Sequence, residues 1–336
     1  MIIDMPGTTT SEVNRKLVDL RESGGVLALG RVMTLVIVTD DDHAEDAIKC
    51  ANDASREHPC RVVTIARGSK RGAPRLDAQL RVGGDAGASE VVVLRLYGAL
   101  AAHGDSVLVP LLLPDAPVVV WWPGASPEDP AQDPIGRMAQ RRITDSAAAR
   151  NPVRALSEKA ATYAPGDTDL AWSRVTRWRA LLAAALDQPP YEPVTRAVVE
   201  GASDSPSSEL LAAWLALTLR CPVTRKKTRP GTGMVGVHME RSSGAVELDR
   251  PGGTVASLSQ PGQPLRKIAM PRRADVDCLM EELRRLDPDE VYSEVLTKGL
   301  ELLRKPSNGS KRGSTRTAKG HRKSAGSQAE PVAELT

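Results

Sequence analysis

Short valine-rich runs alternate with amphipathic stretches along the first half of the chain, and the pattern changes after Asp145. RVMTLVIVTDDD reads as a buried strand ending in three carboxylates, a helix from about His43 to Glu57 follows, and RVVTIA is the next strand. That order predicts a parallel pair joined by a crossover. LDAQLRV differs, because Leu76, Ala78, Leu80 and Val82 alternate with Asp77, Gln79 and Arg81, as in a half-exposed strand nearer an edge. EVVVLRL is buried again, and the sheet is expected to continue through VLVPLLL to VVVWW. Ahead of all these, Thr9 and Glu12 have capping-box spacing, and Val13, Leu17 and Leu20 share a helical face. Gly24 and Gly25 are expected to stop that helix.

Helical patterns dominate the second half. One spans about Pro152 to Thr162, and in the next Trp172, Val175, Trp178, Leu182 and Leu186 share a face. Arg174, Arg177 and Arg179 lie largely off that face. PVTRAVVE is a strand candidate, and Ser205 with Pro206 opens a helix expected to bury Leu211, Trp214 and Leu215. From Cys221 to Met270, short alternating segments with glycine turns predict an antiparallel meander. Two closing helices follow, the first carrying Val276, Leu279, Met280, Leu283 and Leu286, the second opening with Asp287 as cap and Pro288 in its first turn. The fold class is therefore α/β: a mixed, partly parallel sheet with helices over residues 1–150, then an α+β half over 151–303 with the meander. Residues 304–336 hold a run of basic residues, no large apolar residue before Val332 and no acid before Glu330, so a disordered basic tail is expected.

The 336 residues are 41% hydrophobic and 26% charged, with a net charge of +3 that the tail accounts for. Nothing in the body asks for nucleic acid, and no specific nucleic-acid partner is expected. The first residues lack a basic n-region and an apolar h-region, and the apolar run up to Trp122 is too interrupted by prolines and Asp115 to span a membrane. A cytoplasmic protein with no membrane partner is expected. Cys50, Cys60, Cys221 and Cys278 show no CxxC and no ligand spacing with the five histidines, so free thiols and no metal are expected.

Trp121 and Trp122 are conspicuous in a chain without Phe. Successive strand residues point to opposite faces, so the two indoles cannot fill one core. One of them is expected to pack beneath a helix on the other side of the sheet, both rings then being structural, or to lie in a cleft or interface facing a partner. Gly231, Gly233 and Gly236 spell GxGxxG, but basic residues precede them and a strand-like pattern follows, so no dinucleotide fingerprint is assigned. Asp40, Asp41 and Asp42 follow a strand where carboxylates can hold Mg²⁺, yet they also suit the start of the helix at His43, and that reading is adopted. Asp145 and Ser146 follow another strand and are better placed for a ligand. No nucleophile elbow, P-loop or oriented histidine is present, so no catalytic residue and no cofactor is assigned.

The blocks TTTSEVNRKLVDLRESGGVLALGRVMTLVIVTD, LLLPDAPVVVWWPG, RRITDSA and DLAWSRVTRWRALLAA occur in that order. Together they resemble the OpcA family of glucose-6-phosphate dehydrogenase assembly proteins, and the resemblance runs from about Met1 to Leu302. It implies a protein that is not itself a dehydrogenase, but binds glucose-6-phosphate dehydrogenase, promotes its active oligomer and feeds the oxidative pentose phosphate pathway. Redox control through cysteines is associated with some members, and the placement of these four does not bear on it. Trp121, Trp122, Asp145, Ser146, Asp169, Trp172, Arg174 and Arg179 are the candidate partner contacts, tryptophan and arginine being the commonest energetic centres of interfaces. The alternative is a sugar-phosphate or nucleotide enzyme using Asp40, Asp145 and Ser146 at the strand ends.

Overall fold

Valine-rich strands need neighbours on both edges and cover on both faces, and those of the first half obtain both in one eight-stranded sheet. The structure, a computed structural model, describes residues 1–23, 33–82 and 90–304. The chain runs β1 (Ile2–Met5), α1 (Thr10–Ser23), β2 (Met33–Asp40), α2 (Ala44–Ala54), β3 (Cys60–Arg67), β4 (Arg75–Arg81) and β5 (Glu90–Tyr97). It continues through α3 (Gly104–Leu108), β6 (Val118–Trp121), β7 (Arg141–Thr144), α4 (Pro152–Thr162) and β8 (Asp167–Asp169). Across the sheet the order is β1-β4-β5-β3-β2-β6-β7-β8. The strands from β5 to β8 are parallel, while β4 and β1 pair antiparallel beyond β5. Counted by appearance, the parallel strands lie third, second, first, fourth, fifth, sixth, which is the doubly wound order.

Strand alternation divides the apolar side chains between two cores. Val36, Val38, Val63, Ile65 and Trp122 pack with Val13 and Leu17 of α1 on one face. Leu35, Ile37, Val62 and Trp121 pack with Ile48 and Ala51 of α2 on the other. The capping box forms as expected, the Thr9 N–H donating to Glu12 at 2.9 Å and the Glu12 N–H to Thr9 Oγ1 at 3.3 Å. The expected stop at Gly24 and Gly25 lies outside the described residues, as does the tail from residue 305. No helix among the described residues is long and apolar enough to cross a membrane.

The second sheet follows α5 (Leu170–Ser173) and α6 (Thr176–Leu186). Its elements are β9 (Arg196–Ala202), α7 (Pro206–Leu219), β10 (Val223–Thr228), β11 (Met234–Glu240), β12 (Val246–Asp249), β13 (Val255–Ser259) and β14 (Arg266–Ala269). The order is β10-β9-β11-β12-β13-β14. Then come α8 (Asp275–Leu283), α9 (Glu290–Glu294), a π-helical turn at Val295–Gly299 and α10 (Leu300–Arg304). α8 packs back on the first sheet, adding Cys278, Leu279 and Leu283 to the core around Trp121.

Four details depart from the sequence reading. VLVPLLL is not a strand: α3 and a 3-10 turn at Val109–Leu111 occupy it, with Pro110 at the start of that turn, where its missing N–H costs nothing. β10 pairs parallel with β9, because α7 is a crossover between them, so the antiparallel meander begins only at β11. The cap of α9 is Asp289, which accepts from the Tyr292 N–H at 2.9 Å, whereas the Asp287 carbonyl is taken by Arg141. Trp214 is half-buried, not fully buried.

Candidate functional site

The carboxyl ends of β7 and β8 bring a set of polar groups together inside the protein. Thr144 and Asp169 are register partners, and the chain turns through Asp145 and Ser146 just beyond. Asp169 Oδ2 accepts from Thr144 Oγ1 at 2.8 Å, from the Ser146 N–H at 2.9 Å and from Ser146 Oγ at 2.6 Å. Its other oxygen caps α5 by accepting from the Ala171 N–H at 2.9 Å. Burial holds the Asp169 carboxyl above the usual range, with the neighbouring Asp145 charge adding to the rise and the donors opposing it.

Asp145 is held by Arg174, whose Nη1 and Nη2 donate to its two oxygens at 2.7 and 2.6 Å. Nη2 also reaches Asp275, the first residue of α8, at 2.7 Å. Burial works against the guanidinium charge, but the bonds to Asp145 and Asp275 outweigh it and raise the Arg174 pKa. A second branch runs through Trp172, whose indole N–H donates to Asp289 at 2.9 Å. The Arg179 guanidinium lies 3.6 Å above the Trp172 ring, and the Tyr292 ring is 5.9 Å away. Burial lowers the Arg179 pKa. Chemically this arrangement is a fastener: it ties strand ends of the first sheet to α5, α8 and α9.

Beside it, at the ends of β2 and β6, opens a cleft of about 390 Å³. Strand order reverses between these two strands, and doubly wound sheets leave a crevice at that point. β2 supplies Thr39 and Asp40, while β6 and the loop after it supply Trp121, Pro123, Gly124 and Ala125. α2 presents Asp46, Ala47 and Cys50 below its N-cap His43, and Ala148 and Asp275 close the side next to the fastener. Asp40 Oδ1 accepts from the His43 N–H at 2.9 Å and lies 2.6 Å from His43 Nδ1. That hydrogen bond, with the Asp40 charge, raises the His43 pKa. Burial pushes the Cys50 thiol up to about 12. Among the described residues the lining includes Asp40, Asp46 and Asp275 and no arginine or lysine. Among the described residues no group of His, Cys, Asp and Glu is arranged to hold a metal ion.

The residues singled out from the sequence converge, but mostly beneath the surface. Trp121 and Trp122 are 2% and 1% exposed, so neither ring stands outward: each packs in its own core, as the structural reading has it, and the reading of one exposed indole is corrected. The reason is that the Val118–Trp121 strand lies inside the sheet with apolar side chains on both faces. Asp145, Ser146, Asp169 and Trp172 are buried, the Arg174 side chain is nearly so, and Arg179 is half-buried. Gly231 and Gly233 sit in the connection leading from β10 into β11, where the Gly231 N–H donates to Asp204 and the Gly233 carbonyl accepts from the Ala202 N–H, and Gly236 lies within β11, so a strand and not a helix follows the glycine run. The sequence reading missed Asp46, Cys50, Asp275, Asp289 and Tyr292 as members of these arrangements. Asp275 and Asp289 join through contacts more than 100 residues apart in sequence, which no local spacing announces.

Two family models match the chain in succession. The first, the glucose-6-phosphate dehydrogenase subunit N-terminal domain, spans residues 51–161, and the second, the C-terminal domain of that subunit, spans residues 165–296. No curated protein gives a significant match by sequence. Among solved structures, the chain is similar to an oxidoreductase from Sinorhizobium meliloti at 11% identity and a TM-score of 0.45, covering 82% of this chain and 95% of that one. It is also similar to glucose-6-phosphate 1-dehydrogenase from Mycobacterium avium at 11% identity and a TM-score of 0.39, covering 83% and 93%. An inositol dehydrogenase homologue from Azotobacter vinelandii, solved with NADH and myo-inositol, aligns at 10% identity and a TM-score of 0.34, covering 82% and 86%. Matched in order by both domain models over more than half its length, the chain belongs to the OpcA family of glucose-6-phosphate dehydrogenase subunits.

Proposed function

We propose that this protein is a non-catalytic assembly factor and activator of glucose-6-phosphate dehydrogenase in the cytoplasm, promoting its active oligomer and flux into the oxidative pentose phosphate pathway. The observation that carries the reading is the succession of the two subunit-domain matches across residues 51–161 and 165–296. The chemistry of the strand ends supports it. A dinucleotide needs a glycine-rich turn and a free helix N-terminus at the first parallel strand. Here β2 runs instead into Asp40, Asp41 and Asp42, and Asp40 closes on His43. The alternative, a sugar-phosphate or nucleotide enzyme, needs Asp40, Asp145 and Ser146 available to substrate. They are committed to His43, Arg174 and Asp169.

An effector of this kind works by differential affinity, binding the active form of its partner more tightly than the inactive one. A tenfold preference shifts that equilibrium by about 1.4 kcal/mol. The eight residues named from the sequence then act mainly from behind the docking surface, fixing α5, α6 and α8 against the first sheet. The test is a titration of the purified protein into glucose-6-phosphate dehydrogenase of the same source, reading NADP reduction and oligomer size by light scattering. Activity and oligomer size are expected to rise together, with no NADP reduced by this protein alone. Unchanged kinetics and size at saturation would sink the reading.

A further inference from the structure

β10 stands at one end of the second sheet, with β9 on one side and no strand on the other among the described residues. The Ala197 N–H donates to the Pro222 carbonyl at 3.0 Å and the Ser203 N–H to that of Thr228 at 3.1 Å. Parallel pairing uses alternate residues, so Thr224 and Lys226 also turn their main chain to β9. Val223, Arg225 and Lys227 turn theirs outward, and no hydrogen bond reaches those N–H and carbonyl groups among the described residues. An edge of this kind is a template for a further strand.

A cavity of about 210 Å³ lies beside this edge and bears on what the added strand carries. Arg225 and Lys227 border it from β10, and Leu156 of α4 with Leu300 and Leu303 of α10 form its apolar side. Its carboxylate, Glu209, is held by Arg225 at 3.1 Å, and both side chains are largely buried. Lys227 and Arg304 also line it, both exposed and with no carboxylate partner among the described residues. The opening therefore favours carboxylates, with room for an aliphatic side chain beside them. The β10 of a second copy would bring the same Lys226 and Lys227 to the edge, and lysines on an open edge turn such strands away. Resting on the assembly-factor reading, we propose that β10 receives an extended acidic segment of the partner dehydrogenase as an added strand. Main-chain hydrogen bonds form at Val223, Arg225 and Lys227, an aliphatic side chain enters the cavity, and carboxylates lie against Lys227 and Arg304.

The experiment follows amide exchange of the full chain, residue by residue by mass spectrometry, with and without saturating glucose-6-phosphate dehydrogenase of the same source. The Val223, Arg225 and Lys227 amides are expected to slow by at least about tenfold on binding, and those of Thr224 and Lys226, already turned to β9, to change less. Lys227→Glu and Arg304→Glu are each expected to weaken binding by at least about tenfold at low salt, with unchanged melts as the check on folding. Exchange at the three outward amides untouched by the dehydrogenase, or slowed evenly along Val223–Thr228, overturns the inference. So does an affinity that either charge reversal leaves unchanged. A wild-type chain that never binds the dehydrogenase overturns the assembly-factor reading itself.

Discussion

Arg174 grips Asp145 with both terminal nitrogens, at 2.7 and 2.6 Å, and the two side chains are 9% and 5% exposed. A fork of this kind is worth having only while both partners are present, because removing one leaves a buried charge uncompensated, at a cost of about 3–5 kcal/mol. Arg174→Met and Asp145→Leu are each expected to destabilise on that scale. The double variant should recover much of the loss, since an apolar pair needs no counter-charge. Asp275, the third member, is 59% exposed on its side chain, so Asp275→Asn should cost no more than about 1 kcal/mol. Denaturant melts of the four variants measure this. A fully additive double variant would mean that the two groups do not act as a pair.

The tryptophan pair makes a symmetrical prediction. Trp121 packs with Ile37 and Ile48, and Trp122 with Val36 and Leu108 on the opposite face. Alanine at either position is expected to cost about 3–5 kcal/mol, as for a truncated buried aromatic. A single variant that melted like the wild type would place that ring outside its core.

What could be read from the chain was whatever a period of two or of 3.6 records. The parallel strands, the capping box at Thr9, the helix from Pro152 and the Ser205 cap all rest on neighbours within a few residues, and they form where expected. VLVPLLL failed because a short apolar run carries no period, and only its place beneath the sheet makes it helical. The reversed order of β2 and β6, which creates the cleft, is a topological fact with no local signature. Likewise the sequence marked Asp145, Asp169 and Arg174 as important without showing that they would pair with one another. Two adjacent indoles read as one ring too many for a core, yet α8, from the far end of the chain, helps build the second core.

His43 offers a pH readout of the cleft. Its Nδ1 lies 2.6 Å from Asp40, and that hydrogen bond, aided by the Asp40 charge, raises its pKa above the usual imidazole range. For a group raised on folding, the stabilisation is fully present below the unfolded pKa and is lost as pH rises through the folded one. The ring is fully exposed, so the effect belongs in a titration curve and not in a melt. Following the five histidine Cε1–H resonances with pH, His43 should titrate above the ordinary range, and Asp40→Asn should bring it back. A midpoint indifferent to Asp40→Asn would remove the hydrogen bond from the account.

The final prediction concerns Cys50, half-buried on the face of α2 that lines the cleft. Only the thiolate attacks an alkylating reagent, and burial, assisted by the charges of Asp275 and Asp53, holds this thiol neutral up to about pH 12. Near pH 8 its thiolate fraction is on the order of one in ten thousand, so iodoacetamide should label it slowly despite its partial exposure. Cys221, also half-buried but not among the residues lining the cleft, should react sooner, and the buried Cys60 and Cys278 later than either. The rate at Cys50 should climb about tenfold per pH unit until the protein unfolds, because each unit raises the thiolate fraction by that factor. Peptide mass mapping at pH 7, 8 and 9 gives the order and the slope. Rapid labelling at pH 7, with little change at pH 9, would show an activated thiol and a cleft whose electrostatics run opposite to those described.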